Sequence, residues 1–323
     1  MTRVRIATFN LNNLFNRYNF QGVVSGIVDP STTVTGSVEY HFDDPANFRL
    51  RTFQGQLVKE KAPAQRVILA DRLIAIDADV IAVQEVEDIE TLRMFATNHL
   101  QSRYPYLALI EGNDPRLIDV ALLSRLPLGA VTSWQHARHP SKLGEAVFSR
   151  DLLEVAVYSA DRKRRLVTIY NNHLKSKFVP FNQDPVATTA ANNLRRTQQA
   201  ETVARIVDAR QRPDGRYVIL GDMNDAPTEL TLAAIASGGL NLVPALATAR
   251  ESIPAPAENP PPTSVVWTHR FKPSGQPAVH ELFDQIWLSP SLGPRLQDAV
   301  IHRRTLLGGN ASDHDPASVD LDL

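Results

Sequence analysis

The sequence predicts an α/β protein built on two β-sheets stacked face to face, with helices outside. Three observations carry that expectation. Apolar runs of strand length alternate with helical patterns along the chain, hairpin-like strand pairs occur in both halves, and acid, amide or imidazole groups stand at the ends of six of the strands. The 323 residues suffice for one large α/β domain or two small ones. Polar strand ends spread along the whole chain must converge to serve one site, which argues for a single domain over residues 1–323.

The elements follow in order. Val4-Arg5-Ile6-Ala7-Thr8-Phe9-Asn10 is an apolar strand ending in Asn10, followed by Leu11, Asn12 and Asn13. Residues 17–55 are aromatic and polar with little periodicity (Tyr18, Phe20, Tyr40, His41, Phe42, Phe48, Phe53). Loops this long are usually functional or disordered, and the aromatics argue against disorder. An ordered flap near the site is therefore expected, with plain packing against the core as the alternative. Residues 56–76 have helical spacing in their second half (Val67, Ala70, Leu73, Ile74) and feed the strand Asp79-Val80-Ile81-Ala82-Val83-Gln84-Glu85. Residues 89–100 read as a second helix, and 106–110, 120–123 and 130–133 as meander strands.

Residues 153–158 and 166–170 form two further strands around the charged turn Asp161-Arg162-Lys163-Arg164-Arg165. That basic run invites a nucleic-acid reading. A solvated hairpin tip is the plainer one, because the turn lies one strand length from His173 and at the opposite edge. Residues 190–210 form a helix with Leu194, Val203 and Ile206 as apolar positions. The buried-strand pattern Tyr217-Val218-Ile219-Leu220, a Pro-rich surface connector at 251–262, the strand Phe283-Asp284-Gln285-Ile286-Trp287-Leu288 and a last strand at 316–323 complete the chain.

Gly221-Asp222-Met223-Asn224 is the most informative of the strand ends. Positions i and i+2 of an extended segment point to one side, so Asp222 and Asn224 are expected to face one pocket. Gly221 suits a tight exit where backbone passes close to something else. An Asx turn closing the strand is the bland alternative. Asn171-Asn172-His173-Leu174-Lys175, Glu85, Asp284 and Ser312-Asp313-His314 supply the other polar ends. One polar site at one edge of a β core accounts for all of them.

Taken in order, Phe9-Asn10, Gln84-Glu85, Asn171-x-His173-Leu174, Gly221-Asp222-x-Asn224, Asp284 and Ser312-Asp313-His314 resemble the signature of the endonuclease/exonuclease/phosphatase, or DNase I-like, superfamily. The resemblance runs from Phe9 to His314. It implies a four-layer α/β/β/α sandwich of two stacked mixed β-sheets flanked by helices. It also implies a divalent-metal-dependent phosphodiester hydrolase, most simply a nuclease. In that reading Glu85 is the first ligand of Mg²⁺ (Mn²⁺ as a substitute), supported by Asn10 and Asp313. Hard oxygen donors suit such ions, and Mg²⁺ usually keeps several waters. Asp222 takes a proton from the attacking water and Asn224 orients water or phosphate. Asp284 holds the His314 ring, and His173, with Asn171 beside it, faces the developing negative charge.

Substrate-contact candidates are Asn12, two residues after Asn10, together with Lys175 and His269. Lys175 has a solvated strand-end lysine as its alternative, and Asp284 has simple neutralisation of Arg270 or Lys272. Arg196, Gln199 and Ala200 match the family's Arg-x-x-Gln-Ala, which anchors a helix rather than touching substrate. No cluster has the spacing of a zinc site.

Composition sets limits. Lys+Arg 34 against Asp+Glu 35 leaves a net charge of −1, which disfavours strong nonspecific affinity for duplex DNA, although local patches decide binding. The absence of cysteine excludes disulfides, thiolate metal sites and Cys nucleophiles. No stretch approaches a membrane span. The chain reads as a cytoplasmic monomer, or as the trimmed mature form of a secreted enzyme. The expected partner is a phosphodiester, DNA or RNA, with Arg17, Arg49 and Arg51 lining a groove. A small-molecule or lipid phosphate is the alternative substrate, and a binding module that lost its chemistry is a third reading.

Overall fold

The computed structural model describes residues 2–15, 61–264, 266–308 and 310–323. The expected flap at 17–55, with its three arginines, lies outside the described residues. Strand β1 (Arg3–Leu14) shows how the molecule is built. Successive side chains of a strand point to opposite faces. Val4 and Ile6 accordingly enter one buried cluster, and Ala7, Phe9 and Leu11 another. β2 (Val80–Val86) lies parallel to β1 and divides in the same way, Val80 and Ala82 to one side, Ile81 and Val83 to the other.

The first sheet also contains β3 (Tyr106–Leu109), β4 (Asp119–Ser124), β10 (Arg250–Glu251), β14 (Leu296–Ile301) and β15 (Ala317–Asp322), in the order β10-β14-β15-β1-β2-β4-β3. The second sheet contains β5 (Leu128–Ser133), β6 (Leu153–Tyr158), β7 (Arg165–His173), β8 (Tyr217–Asp222), β9 (Val243–Pro244) and β13 (Asp284–Leu288), in the order β5-β6-β7-β8-β13-β9. A short ribbon of β11 (His269–Phe271) and β12 (Val279–Glu281) stands apart from both.

Between the sheets, Val4, Ile6, Val80 and Leu122 meet Val155, Ile169, Leu220 and Ile286. The outer face of the first sheet is covered by α1 (Pro63–Ile76) and α2 (Ile89–His99), through Leu69, Leu73, Leu92 and Phe95. The outer face of the second is covered by α3 (Pro185–Arg210), through Ala200, Val203 and Val207 packed on Tyr170, Ile219 and Trp287. The result is the expected α/β/β/α sandwich. Truncating a fully buried leucine of the middle layer, such as Leu220, costs about 2–5 kcal/mol.

Two helix positions depart from expectation. Leu194 is 61% exposed and Val67 49% exposed, so neither belongs to the core. α3 begins five residues before position 190, at Pro185, where the Asp184 side chain accepts from the Ala187 N–H as an N-cap. Its buried face in that first half is polar (Asn192, Arg196, Gln199), and Leu194 lies on the other side. Among the described residues no helix is long and apolar enough to cross a membrane.

Candidate active site

The alternation that fills the space between the sheets also carries polar groups to its rim. The face of Val4 and Ile6 continues to Asn10, that of Val80 and Ala82 to Gln84, and that of Val167 and Ile169 to Asn171 and His173. On β8 Val218 and Leu220 lead to Asp222, and on β13 Leu288 and Ile286 lead back to Asp284. Register then sets His173 opposite Asp222, and Asp222 opposite Asp284, across three adjacent strands. The polar site is the edge of the hydrophobic core, continued by two residues.

Asp222 is its centre. Its Oδ2 accepts from Asn10 Nδ2 at 2.9 Å and lies 3.6 Å from His173 Nε2 and 3.8 Å from His314 Nε2. Its Oδ1 accepts from the Asn224 N–H at 2.9 Å. Burial raises the Asp222 carboxyl to about 6, against the opposing pull of His314. For His314 burial disfavours the charge, but Asp284 and then Asp222 outweigh it and lift the ring to about 10. The Asp284 contribution is direct, Nδ1 to Oδ2 at 2.6 Å. Asp284 therefore pairs with His314, while Arg270 pairs with Glu258.

His173 has the opposite character. It is fully buried, and burial followed by Arg150, His314 and Arg116 holds it well below the ordinary imidazole value. It is neutral at pH 7. Its Nε2 faces Asp222 and, at 3.9 Å, Glu85 Oε1. A neutral ring facing two carboxylates carries its proton on that nitrogen.

Glu85 sits at a left-handed φ of 62°, where the β2 ladder shifts register. That turn takes Glu85 out of the strand alternation and leaves its side chain 19% exposed at the rim. Asn10 Nδ2 reaches Glu85 Oε1 at 3.4 Å, so one amide spans both acids, while its Oδ1 accepts from the Asn12 N–H at 2.9 Å. Asn12, at φ 48°, donates from Nδ2 to Asp313 Oδ1 at 2.8 Å. It holds an acid of the site. Asp313 stays well below the usual carboxylate range: burial opposes, but the bond from His269 and the charge of His314 prevail. Three arginines on Asp315, Arg72 at 2.8 Å, Arg304 at 2.9 Å and Arg303 at 3.3 Å, fix the turn that presents Asp313 and His314.

The donor chemistry of Glu85 and Asp313, two carboxylates at the open edge with Asn10 between Glu85 and Asp222, fits a hard divalent cation. A second trio, His269, Asp313 and His314, brings ligand atoms within 4.8 Å of one another. In it, His314 Nδ1 is already engaged by Asp284 at 2.6 Å, so only Nε2 would be open to an ion.

Two sequence expectations need correction. Asn224 is not extended: its φ is 54°, it closes an Asx turn on Asp222, and its Nδ2 donates to the Leu174 carbonyl at 3.0 Å. Asn171 does not sit beside His173 facing substrate. It is fully buried, accepts from Gln84 at 2.8 Å and donates to the Val83 and Ala121 carbonyls, tying the two sheets together. Lys175 is brought to the site: its backbone N–H donates to Gln199 at 2.8 Å, and its half-buried amine is among the charges that depress His173. His269 does reach the site, 3.5 Å from Asp313 Oδ2, with its ring stacked on Phe283.

Other site residues had no local signal. Lys61, beside the first turn of α1, is buried and donates its amine to the Asn12 carbonyl. Burial lowers it to about 8 against the pull of Glu85 and Asp313. Arg150, fully buried, pairs with Asp114 at 3.2 Å and depresses His173. Thr268 Oγ1 accepts from the Asp284 N–H at 2.9 Å. Arg196 anchors α3, as expected, through Asp225 at 2.9 Å and the Lys175 carbonyl at 2.6 Å.

The sequence profile of the Endonuclease/Exonuclease/phosphatase family matches residues 7–314. The chain belongs to this family, whose members hydrolyse phosphoester bonds, and it is an enzyme of that class. Solved structures with the same fold include an AP endonuclease from Archaeoglobus fulgidus, at TM-score 0.58 and 14% identity, covering 99% of this chain and 100% of that one. A 3′ phosphatase from Neisseria bound to a product DNA hairpin gives TM-score 0.57 and 14% identity, again with 99% and 100% coverage. The human Nocturnin catalytic domain with a bound sulfate gives 0.56 and 12%, covering 99% of this chain and 93% of that one. None of the curated proteins matches the chain.

Proposed function

We propose that the protein is a divalent-metal-dependent phosphodiester hydrolase acting on nucleic acid. One observation carries the reading: an ionisable buried carboxylate, Asp222, lies between a neutral His173 at 3.6 Å and a cationic His314 at 3.8 Å. Asp222 accepts a proton from water as the water oxygen bonds to phosphorus and the ester oxygen leaves with its electron pair. His314, kept charged by Asp284, sets a fixed positive charge against the phosphate oxygens. His173 adds an N–H donor from the other side. Asn10 orients Asp222, and Asn224 and Asn12 orient the acids around it. A divalent cation on Glu85 and Asp313, with Asn10 alongside, would add charge neutralisation at the phosphate. The Neisseria relative is a 3′ phosphatase bound to a product DNA hairpin and the Archaeoglobus relative an AP endonuclease, which agrees with a nucleic-acid substrate.

A second reading, a small-molecule or lipid phosphate, is favoured by the net charge of −1. The two separate by experiment. Purified protein is incubated with Mg²⁺, Mn²⁺ or EDTA against supercoiled plasmid, single-stranded DNA, RNA and a chromogenic phosphodiester. EDTA-sensitive cleavage of a nucleic acid supports the first reading. Turnover of the small diester alone replaces it with the second.

A further inference from the structure

A hollow of roughly 560 Å³ opens where β7 and β8 begin, lined by Arg164, Arg165, Arg210, Arg212 and Arg216, with one acid, Asp214. It is at the far edge of the sandwich from Asp222. Arg165 opens β7 and His173 closes it, and Arg216 directly precedes β8, which Asp222 closes. Eight strand steps separate the two ends of β7, about 26 Å at a rise of ~3.3 Å per residue.

The charges here are poorly compensated. Arg210 pairs with Glu154 at 3.0 Å, and Arg164 donates to the Leu323 carbonyl at 3.3 Å. Arg165, Arg212 and Arg216 have no ion pair among the described residues. Burial, then Arg295 and Arg164, pull the Arg216 guanidinium below its ordinary value. The frame is rigid. Gly215 N–H closes the Arg212-Pro213-Asp214-Gly215 turn on the Arg212 carbonyl at 2.8 Å. Ser291 Oγ clamps the Gly215 carbonyl at 2.7 Å, and Gln211 is tied to the Tyr170 hydroxyl at 2.6 Å. Guanidinium forks from the starts of β7 and β8, the end of α3 and the turn after it surround one hollow and match the oxygens of phosphate.

We propose that this arginine hollow is a second phosphate-binding site, which holds the backbone of a nucleic-acid strand away from the point of cleavage. The proposal rests on the nucleic-acid reading above. A strand that keeps a stacked rise of ~3.4 Å needs roughly eight nucleotides to engage both edges. The site therefore discriminates by length.

The test measures binding without turnover, in EDTA and with Asp222→Ala as the carrier. Fluorescence anisotropy follows a 30-nucleotide and a 6-nucleotide single strand over a KCl series. The combined Arg165→Gln, Arg212→Gln, Arg216→Gln variant is compared with a charge-matched control, Arg93→Gln, Arg250→Gln, Lys272→Gln. Three lost phosphate contacts should lower the log–log salt slope for the 30-mer by about 2 and its low-salt affinity about tenfold. The control should not change, and the 6-mer, which occupies one edge at a time, should lose less than the 30-mer. Arg212→Gln alone should lower the slope by about 0.7, which covers a misfolded triple variant. An unchanged 30-mer slope overturns the proposal. Loss of tripolyphosphate binding with intact 30-mer binding also overturns it, since the site then serves a free polyphosphate. Length-dependent binding by an enzyme that cleaves no nucleic acid would sustain this site and refute the substrate reading.

Discussion

His314 Nδ1 stands 2.6 Å from Asp284 Oδ2 while its Nε2 faces Asp222 Oδ2 at 3.8 Å, so one imidazole is held between two buried carboxylates. Asp284 makes the ring a lasting cation and fixes which nitrogen looks into the site. Asp284→Asn keeps the shape and removes the charge. It should lower kcat by about 10²-fold or more. It should also move the alkaline limb of the rate profile from about 10 towards the ordinary imidazole value, because a charge that raises the His314 value is gone. A pH–rate series on both proteins checks this.

The wild-type profile follows from the same pair. The proposed mechanism requires Asp222 ionised and His314 protonated. Rate should rise as pH passes about 6, hold a plateau, and fall as pH passes about 10. A limb near pH 4, the ordinary aspartate region, would show that Asp222 is not the base.

Asp222 also carries a cost in stability. Its folded value of about 6 exceeds the 3.8 of a free aspartate, so the folded state holds this proton more tightly. Ionising it removes stability as pH rises from about 4 to about 6. Asp222→Asn lacks that loss. Thermal melts across this window should show the variant's Tm gaining on the wild type as pH rises, even as activity falls by about 10²-fold or more.

Gly221 is the backbone counterpart. It adopts φ 123°, and a Cβ there would stand 2.0 Å from the Asn172 carbonyl oxygen, inside the β7–β8 pairing. Gly221→Ala combines a left-handed strain with a clash against backbone that cannot yield. Urea denaturation should show a loss of more than about 3 kcal/mol, or no folded protein.

Much of this site was legible because strand alternation is a local rule. Once Val218 and Leu220 are assigned to a core face, Asp222 must emerge on that face, and the same holds for His173 after Ile169. The rule failed where the backbone leaves the strand. Asn224 turns at a positive φ, so spacing misjudged its direction, while Glu85 reaches the rim through the same kind of turn. Contacts between distant segments were not legible. Nothing near Lys61 points to Asn12, nothing near Arg150 points to His173, and the bond of Asn171 to Gln84 exists only once the sheets are stacked. The hairpin arginines read as a solvated tip, because Arg210, Arg212 and Arg216 join them only through the β7–β8 pairing.

The role proposed for Asp222 is that of general base in phosphodiester hydrolysis. Its most direct test is the single-turnover cleavage rate of a nucleic-acid diester with Mg²⁺, for wild type and a folded Asp222→Ala variant. The expected result is a fall of about 10²-fold or more, with both proteins silent in EDTA. Equal rates in the two proteins would contradict it.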